Sequence, residues 1–126
     1  MVRFGVIGTN WITEQFIEAL KEVEGSEVVA VYSRTKETAE TFSTKFSIPD
    51  TYTELTEMAT SANVDAVYIA SPNAFHAEQA ILCMNHGKHV LCEKPIASNA
   101  AETQAMIAAA KENKVLLMEA LKTTFL

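Results

Sequence analysis

Apolar residues along this chain follow two alternating patterns, and the alternation predicts a succession of strands and helices. Val2 to Ile7 is a short, mostly apolar run with β-branched members, ended by Gly8. Such a run suits a strand covered on both faces. From Trp11 to Val23 the apolar positions are Ile12, Phe16, Leu20 and Val23, with Glu14, Gln15, Glu18, Lys21 and Glu22 on the other side. Spacings of four and three predict an amphipathic helix that ends near Gly25. Glu27 to Tyr32 returns to strand composition, and Thr35 is placed to cap a helix over Lys36 to Phe46 that Ile48-Pro49-Asp50 breaks. Thr51-Tyr52 predicts a very short strand and Glu54 to Ala59 a short helix.

The second half repeats the alternation. Ala66 to Ala70 is an apolar run interrupted by Ser71-Pro72-Asn73, after which Ala77, Ala80, Ile81 and Met84 share a helical face that closes at Gly87. His89 to Cys92 predicts a strand. Asn99-Ala-Ala-Glu102 has the form of a capping box opening an Ala-rich helix to about Asn113, and Val115 to Met118 predicts the last strand. Strand and helix in strict alternation imply parallel strands joined by right-handed helical crossovers. The expected fold is therefore α/β, a Rossmann-type doubly wound parallel sheet of strand order 3-2-1-4-5-6 with helices on both faces. Its ligand edge lies where the strands end and the helices begin.

Composition narrows the partner more than the fold. With 126 residues, 48% hydrophobic and 21% charged, the chain can bury one core, so residues 1–126 are expected to form one domain. The net charge of -6, without runs of Lys or Arg, leaves no electrostatic footprint for nucleic acid or an anionic membrane. A small molecule is the expected partner. No signal-peptide pattern and no apolar run near the roughly 20 residues of a membrane helix are present. Cys83 and Cys92 stand alone in apolar surroundings, so buried free thiols are expected and a metal site is not, which fits a cytoplasmic protein.

Candidate chemistry sits in four turns that follow strands. The first, Gly8-Thr9-Asn10-Trp11-Ile12-Thr13, occupies the place of a phosphate loop. A dinucleotide fingerprint has glycines at three positions, for a tight turn, for approach of the pyrophosphate and for helix packing. Gly8 supplies the first, while Asn10 and Thr13 stand at the second and third. Asn10 puts a side chain where backbone would approach phosphate, although Asn tolerates left-handed backbone better than most residues. The second turn carries Ser33, Arg34 and Lys36, with no acid to receive the ribose hydroxyls. A guanidinium with a hydroxyl and an ammonium beside it suits the 2'-phosphate of NADP, with NAD possible as a second cofactor.

The third and fourth turns are Ser71-Pro72-Asn73, with His76 one helical turn on, and Cys92-Glu93-Lys94-Pro95. Together they carry a resemblance. The stretch SPNAFHAEQAILCMNHGKHVLCEKP resembles the signature of the glucose-fructose oxidoreductase/inositol dehydrogenase (Gfo/Idh/MocA) family. The resemblance implies a nicotinamide-dependent dehydrogenase or reductase acting on a sugar, polyol or dihydrodiol hydroxyl or carbonyl. It implies that Lys94 is the active-site lysine and that Glu93 and Pro95 position it against the cofactor. Ser71, Pro72, Asn73 and His76 then line the cofactor, and Glu119 matches an acid common at the end of the last strand. The family also implies a further substrate domain, absent from these residues, through which the full-length protein would form homo-oligomers. Without it the chain is expected to turn over little or nothing. A non-catalytic dinucleotide sensor is the main alternative, followed by a nucleotide-independent interaction domain and a methyltransferase, because fold alone does not separate them.

Overall fold

The computed structural model describes residues 1–94 and 96–120. Its strands are β1 (Val2–Ile7), β2 (Ser26–Tyr32), β3 (Asp50–Tyr52), β4 (Ala66–Ile69), β5 (His89–Glu93) and β6 (Leu117–Ala120). Its helices are α1 (Trp11–Leu20), α2 (Lys36–Phe46), α3 (Leu55–Ala59), α4 (His76–Asn85) and α5 (Ala100–Asn113), with a single 3-10 turn at Asn73–Phe75 before α4. The sheet runs β3-β2-β1-β4-β5-β6, and every pairing is parallel. This is the doubly wound order that the alternation of patterns predicts.

Two apolar layers enclose the sheet because adjacent strand residues point to opposite faces. Ile7, Ala30, Val67, Ile69, Val90 and Cys92 pack with Met58, Ala80, Met84, Met106 and Ala109 from α3, α4 and α5. Val6, Val31, Tyr68 and Ala70 pack with Phe16, Ile17 and Phe42 from α1 and α2. Each central strand contributes to both layers, which is why its sequence is apolar without alternation.

Several boundaries differ from the sequence expectation by one or a few residues, and three of them have a local reason. The last strand begins at Leu117, not Val115, because Lys114 caps α5 in a left-handed conformation (φ 56°) and the Val115 amide donates back to the Ala110 carbonyl. Leu116 then uses its amide on His89 Nδ1 at 2.9 Å before the ladder starts. Helix α1 stops at Leu20, since the amides of Glu22 and Val23 turn back to Ala19 and Leu20. Helix α3 starts at Leu55, with Glu54 in the extended capping position. The capping box of α5 is present in shifted form. Asn99 Oδ1 accepts from the Glu102 amide at 2.9 Å, while Glu102 Oε1 accepts from the amide of Ser98.

At the sheet edge away from the strand ends just described, Arg3 donates to both carboxylate oxygens of Asp65, from Nε and Nη2 at 3.0 Å each, and its backbone amide adds a third bond. These bonds hold the Asp65 carboxyl at about 2, well below its ordinary value. A carboxylate lowered on folding stabilises the fold fully above roughly pH 4, the unfolded value, and loses that contribution as the pH falls toward 2. The melting temperature is therefore expected to drop through that window, and to drop less steeply in Asp65→Asn. Both groups are about one-third exposed, so the difference between the two pH series should be small.

Candidate functional site

Chain order reverses at β1, whose neighbours are β2 on one side and β4 on the other. A doubly wound sheet opens a crevice at such a reversal, beyond the strand ends. Gly8 makes the turn there with φ 106°, and a Cβ on it would lie 2.9 Å from the Ala70 carbonyl oxygen. Two constraints thus act at once: a backbone conformation that L side chains avoid, and contact with the end of β4. Gly8→Ala is expected to lower stability by about 1–2 kcal/mol from strain, plus the cost of the collision. Gly25→Ala is the matched control, since Gly25 has φ 84° with no atom within 4 Å. Thermal melting of the two variants separates the terms, and equal losses would mean that Ala70 gives way freely.

Asn10 is the pivot of this loop. Its backbone is extended, φ -107° and ψ 179°, so the left-handed tolerance that the sequence suggested is not used. Oδ1 instead accepts from the amides of Ile12 (3.0 Å) and Thr13 (3.1 Å), and Nδ2 donates to the Ala70 carbonyl at 2.8 Å. One side chain caps α1 and ties it to β4. The amides of Asn10 and Trp11 have no acceptor among the described residues. They remain at the positive end of a ten-residue helix, where an anion is favoured.

A cleft of about 300 Å³ occupies the crevice. Gly8, Thr9 and Asn10 form one wall, Ser33 and Arg34 a second, and Ser71 and Pro72 a third, so three of the four candidate turns converge there. Ile7, Tyr32, Phe75 and Gln79 complete it. These four escaped the sequence reading, although Tyr32 and Phe75 lie inside the motifs and Gln79 is one helical turn past Phe75. An adjoining hollow of about 400 Å³ shares Tyr32, Arg34, Phe75 and Gln79 and adds Leu55, Leu82 and the carboxylates Glu54 and Glu78. A larger hollow beside Trp11, Glu14, Glu18 and Lys45 lies between α1 and the end of α2. It lacks the glycine turn, and its one cation, Lys45, is already paired with Glu14 at 3.2 Å.

The remaining candidates stand elsewhere. Lys36 points along α2 toward Glu40, 3.8 Å away and largely in solvent. Ile12 packs against the α1-side core, and Trp11 is 61% exposed. Asn73 is exposed and opens the 3-10 turn. His76 is buried beneath it, with Nε2 donating to the Ser71 carbonyl at 2.7 Å, which supports the turn from behind. The Ser33 hydroxyl pairs with that of Thr38 at 2.5 Å, and the Ser71 hydroxyl pairs with Gln79. Arg34 has no carboxylate partner among the described residues.

The fourth turn lies at the end of β5. Glu93 is buried and accepts from the Tyr68 hydroxyl at 2.5 Å, while Lys94 is exposed on the bend that follows. Pro95 lies outside the described residues. Glu119 is exposed on β6, beside Cys92 in the register. Burial and the neighbouring carboxylates of Glu93 and Glu119 push the Cys92 thiol up to about 12, so neither it nor the similarly buried Cys83 is a ready nucleophile. Among the described residues no His, Cys, Asp and Glu cluster could hold a metal ion, and no helix is long and apolar enough to cross a membrane.

These residues fit a dinucleotide. A glycine turn, Asn10 with its unengaged backbone amide at the start of α1, and a guanidinium with no carboxylate partner among the described residues line one crevice, and no carboxylate is among its lining residues. Comparison with known proteins agrees. Residues 2–121 match the family described as "Oxidoreductase family, NAD-binding Rossmann fold". The chain is 60% identical to scyllo-inositol 2-dehydrogenase (NADP(+)) IolU of Bacillus subtilis, over all of this chain and 38% of that protein. It is 40% identical to trans-1,2-dihydrobenzene-1,2-diol dehydrogenase of Mus musculus, over 98% of this chain and 38% of that protein. The 3-ketoreductase KijD10 of Actinomadura kijaniata, solved with NADP and TDP-benzene, superimposes with a TM-score of 0.87 at 34% identity, covering 94% of this chain and 36% of that one. The chain therefore spans under two-fifths of the length of these relatives. Fold, crevice and sequence together make it a member of the Gfo/Idh/MocA oxidoreductases, whose NAD-binding Rossmann domain these residues form.

Proposed function

We propose that this chain is the cofactor-binding part of an NADP-dependent dehydrogenase or reductase acting on a polyol, sugar or dihydrodiol. The observation that carries the cofactor reading is Arg34, which has no carboxylate partner among the described residues and lines a crevice whose β2 end has no carboxylate. The NADP named for IolU, and the NADP bound to KijD10, support it. Gly8 and the N-terminus of α1 receive the pyrophosphate, and Arg34 holds the 2'-phosphate through its planar fork of donors. The apolar hollow formed by Leu55, Phe75 and Leu82 receives the adenine.

When bound, the nicotinamide supplies or accepts the hydride. Lys94 holds a proton for the substrate oxygen and balances the charge that grows on it in the transition state. Glu93, Asn73 and His76 shape the turns that carry this end of the site. A further domain supplies the substrate pocket and the contacts of a homo-oligomer, and the two buried thiols suit a reducing cytoplasm.

Trp11, the sole tryptophan of the chain, follows Asn10 directly and reports the first part of this reading. Titrating the chain with NADP and NAD should change its fluorescence saturably, with NADP the tighter ligand. No saturable response to either nucleotide, or tighter binding of NAD, would overturn the cofactor assignment.

A further inference from the structure

Glu93 is the one buried carboxylate among the described residues, 7% exposed at the last position of β5. A buried carboxylate must be hydrogen-bonded to be tolerated. Its donor comes from the neighbouring strand. Tyr68 stands opposite Leu91 in the β4–β5 register, and Leu91 and Glu93 lie on the same face because strand side chains alternate. The phenol spans that diagonal, and its hydroxyl meets Glu93 Oε2 at 2.5 Å.

The phenol itself is fixed. Tyr68 has no exposed surface, and its ring lies parallel to that of Phe16 in α1, with centroids 3.9 Å apart at 4°. Phe16 in turn meets Phe4 of β1 edge-on at 5.4 Å. A chain of aromatic contacts thus runs from the first strand and the phosphate-loop helix to the carboxylate beside Lys94. Burial and the Glu93 carboxylate both push the Tyr68 hydroxyl far above its ordinary value. It therefore stays protonated, a donor to Glu93, throughout the working pH range.

We infer that Tyr68 is a positioning residue for the reaction: by holding the Glu93 carboxylate against the α1-side core, it sets where the following Lys94 amine is presented. This rests on the catalytic reading of Lys94, but its first readout does not. Tyr68→Phe keeps the ring and its stack while removing the one donor, and Glu93→Gln keeps the shape while replacing the charge-assisted bond by a weaker neutral one.

Lys94 is followed in the full-length protein by the NMR signal of its isotope-labelled dimethylamine, without cofactor. Tyr68→Phe should move that signal while leaving a cooperative melt. Turnover should fall by about 10-fold to 100-fold, the scale of a small misplacement in an active site, with the dinucleotide Kd within about two-fold. In the double variant the losses should not multiply, because both changes act through one carboxylate.

An unmoved Lys94 signal in a folded Tyr68→Phe protein, or fully multiplicative losses, overturns the inference. If Tyr68→Phe does not fold, Glu93→Gln alone decides: a moved Lys94 signal in the folded variant supports the inference, and an unmoved one overturns it. If the signal moves while Lys94→Met leaves turnover intact, the positioning contact stands and the catalytic reading of Lys94 falls.

Discussion

Replacing Lys94 by Met in the complete protein is expected to lower kcat by about 10²-fold to 10³-fold while dinucleotide affinity stays near that of the wild type. Carbonyl reduction places negative charge on oxygen, and alcohol oxidation passes through the same state from the other side. An ammonium aimed at that oxygen is worth most where charge is growing, so its loss falls on turnover and not on binding. Lys94 suits the task by its placement. The residue before it is buried and held by Tyr68, whereas Lys94 itself is exposed on the bend. Met retains most of the stem and removes the charge and the proton together. Steady-state kinetics and equilibrium titration check the split. A kcat within a few-fold of wild type, with affinity lost instead, would make Lys94 a binding residue and favour a sensor over an enzyme.

Arg34→Ala should weaken NADP binding by about 1.5–3 kcal/mol, the range of charge-assisted hydrogen bonds, or roughly 10-fold to 150-fold. NAD, which lacks the 2'-phosphate, should lose little. Arg34 lines both the crevice and the adjoining hollow, and Glu54 and Glu78 share that hollow. Among the residues lining the crevice Arg34 is the only charged one, so without it the 2'-phosphate would meet no positive charge there. The preference for NADP should therefore be lost in Arg34→Ala. Parallel titrations with both nucleotides measure this, and equal losses for the two would show that Arg34 does not read the phosphate.

The fold was legible because its signals are periodic and local. Apolar runs marked the central strands, and Asn99 and Thr35 marked helix starts that the structure caps with their side chains. What was missed depends on contacts between distant residues. No spacing rule announces that Val115 will spend its amide on closing α5, or that Glu93 will meet Tyr68 across two strands. The same holds for the candidate site. Gly8, Ser33, Arg34, Ser71 and Pro72 could be read from their turns and do converge. Lys36 looked equivalent to Arg34 in sequence, but two further residues carry it onto the first turn of α2 and away from the crevice. His76 reads as a surface residue by position and is buried, because the 3-10 turn before α4 folds over it.

Asn10 carries one more implication. A glycine at its position would leave more room for phosphate, but it would leave the loop free to wander until a ligand arrived. The side chain instead joins α1 to β4 before binding, so on the proposed placement of the pyrophosphate little conformational entropy remains to be lost when it docks. The departure from the glycine pattern thus exchanges space for preorganisation, and the loop meets its ligand already in shape.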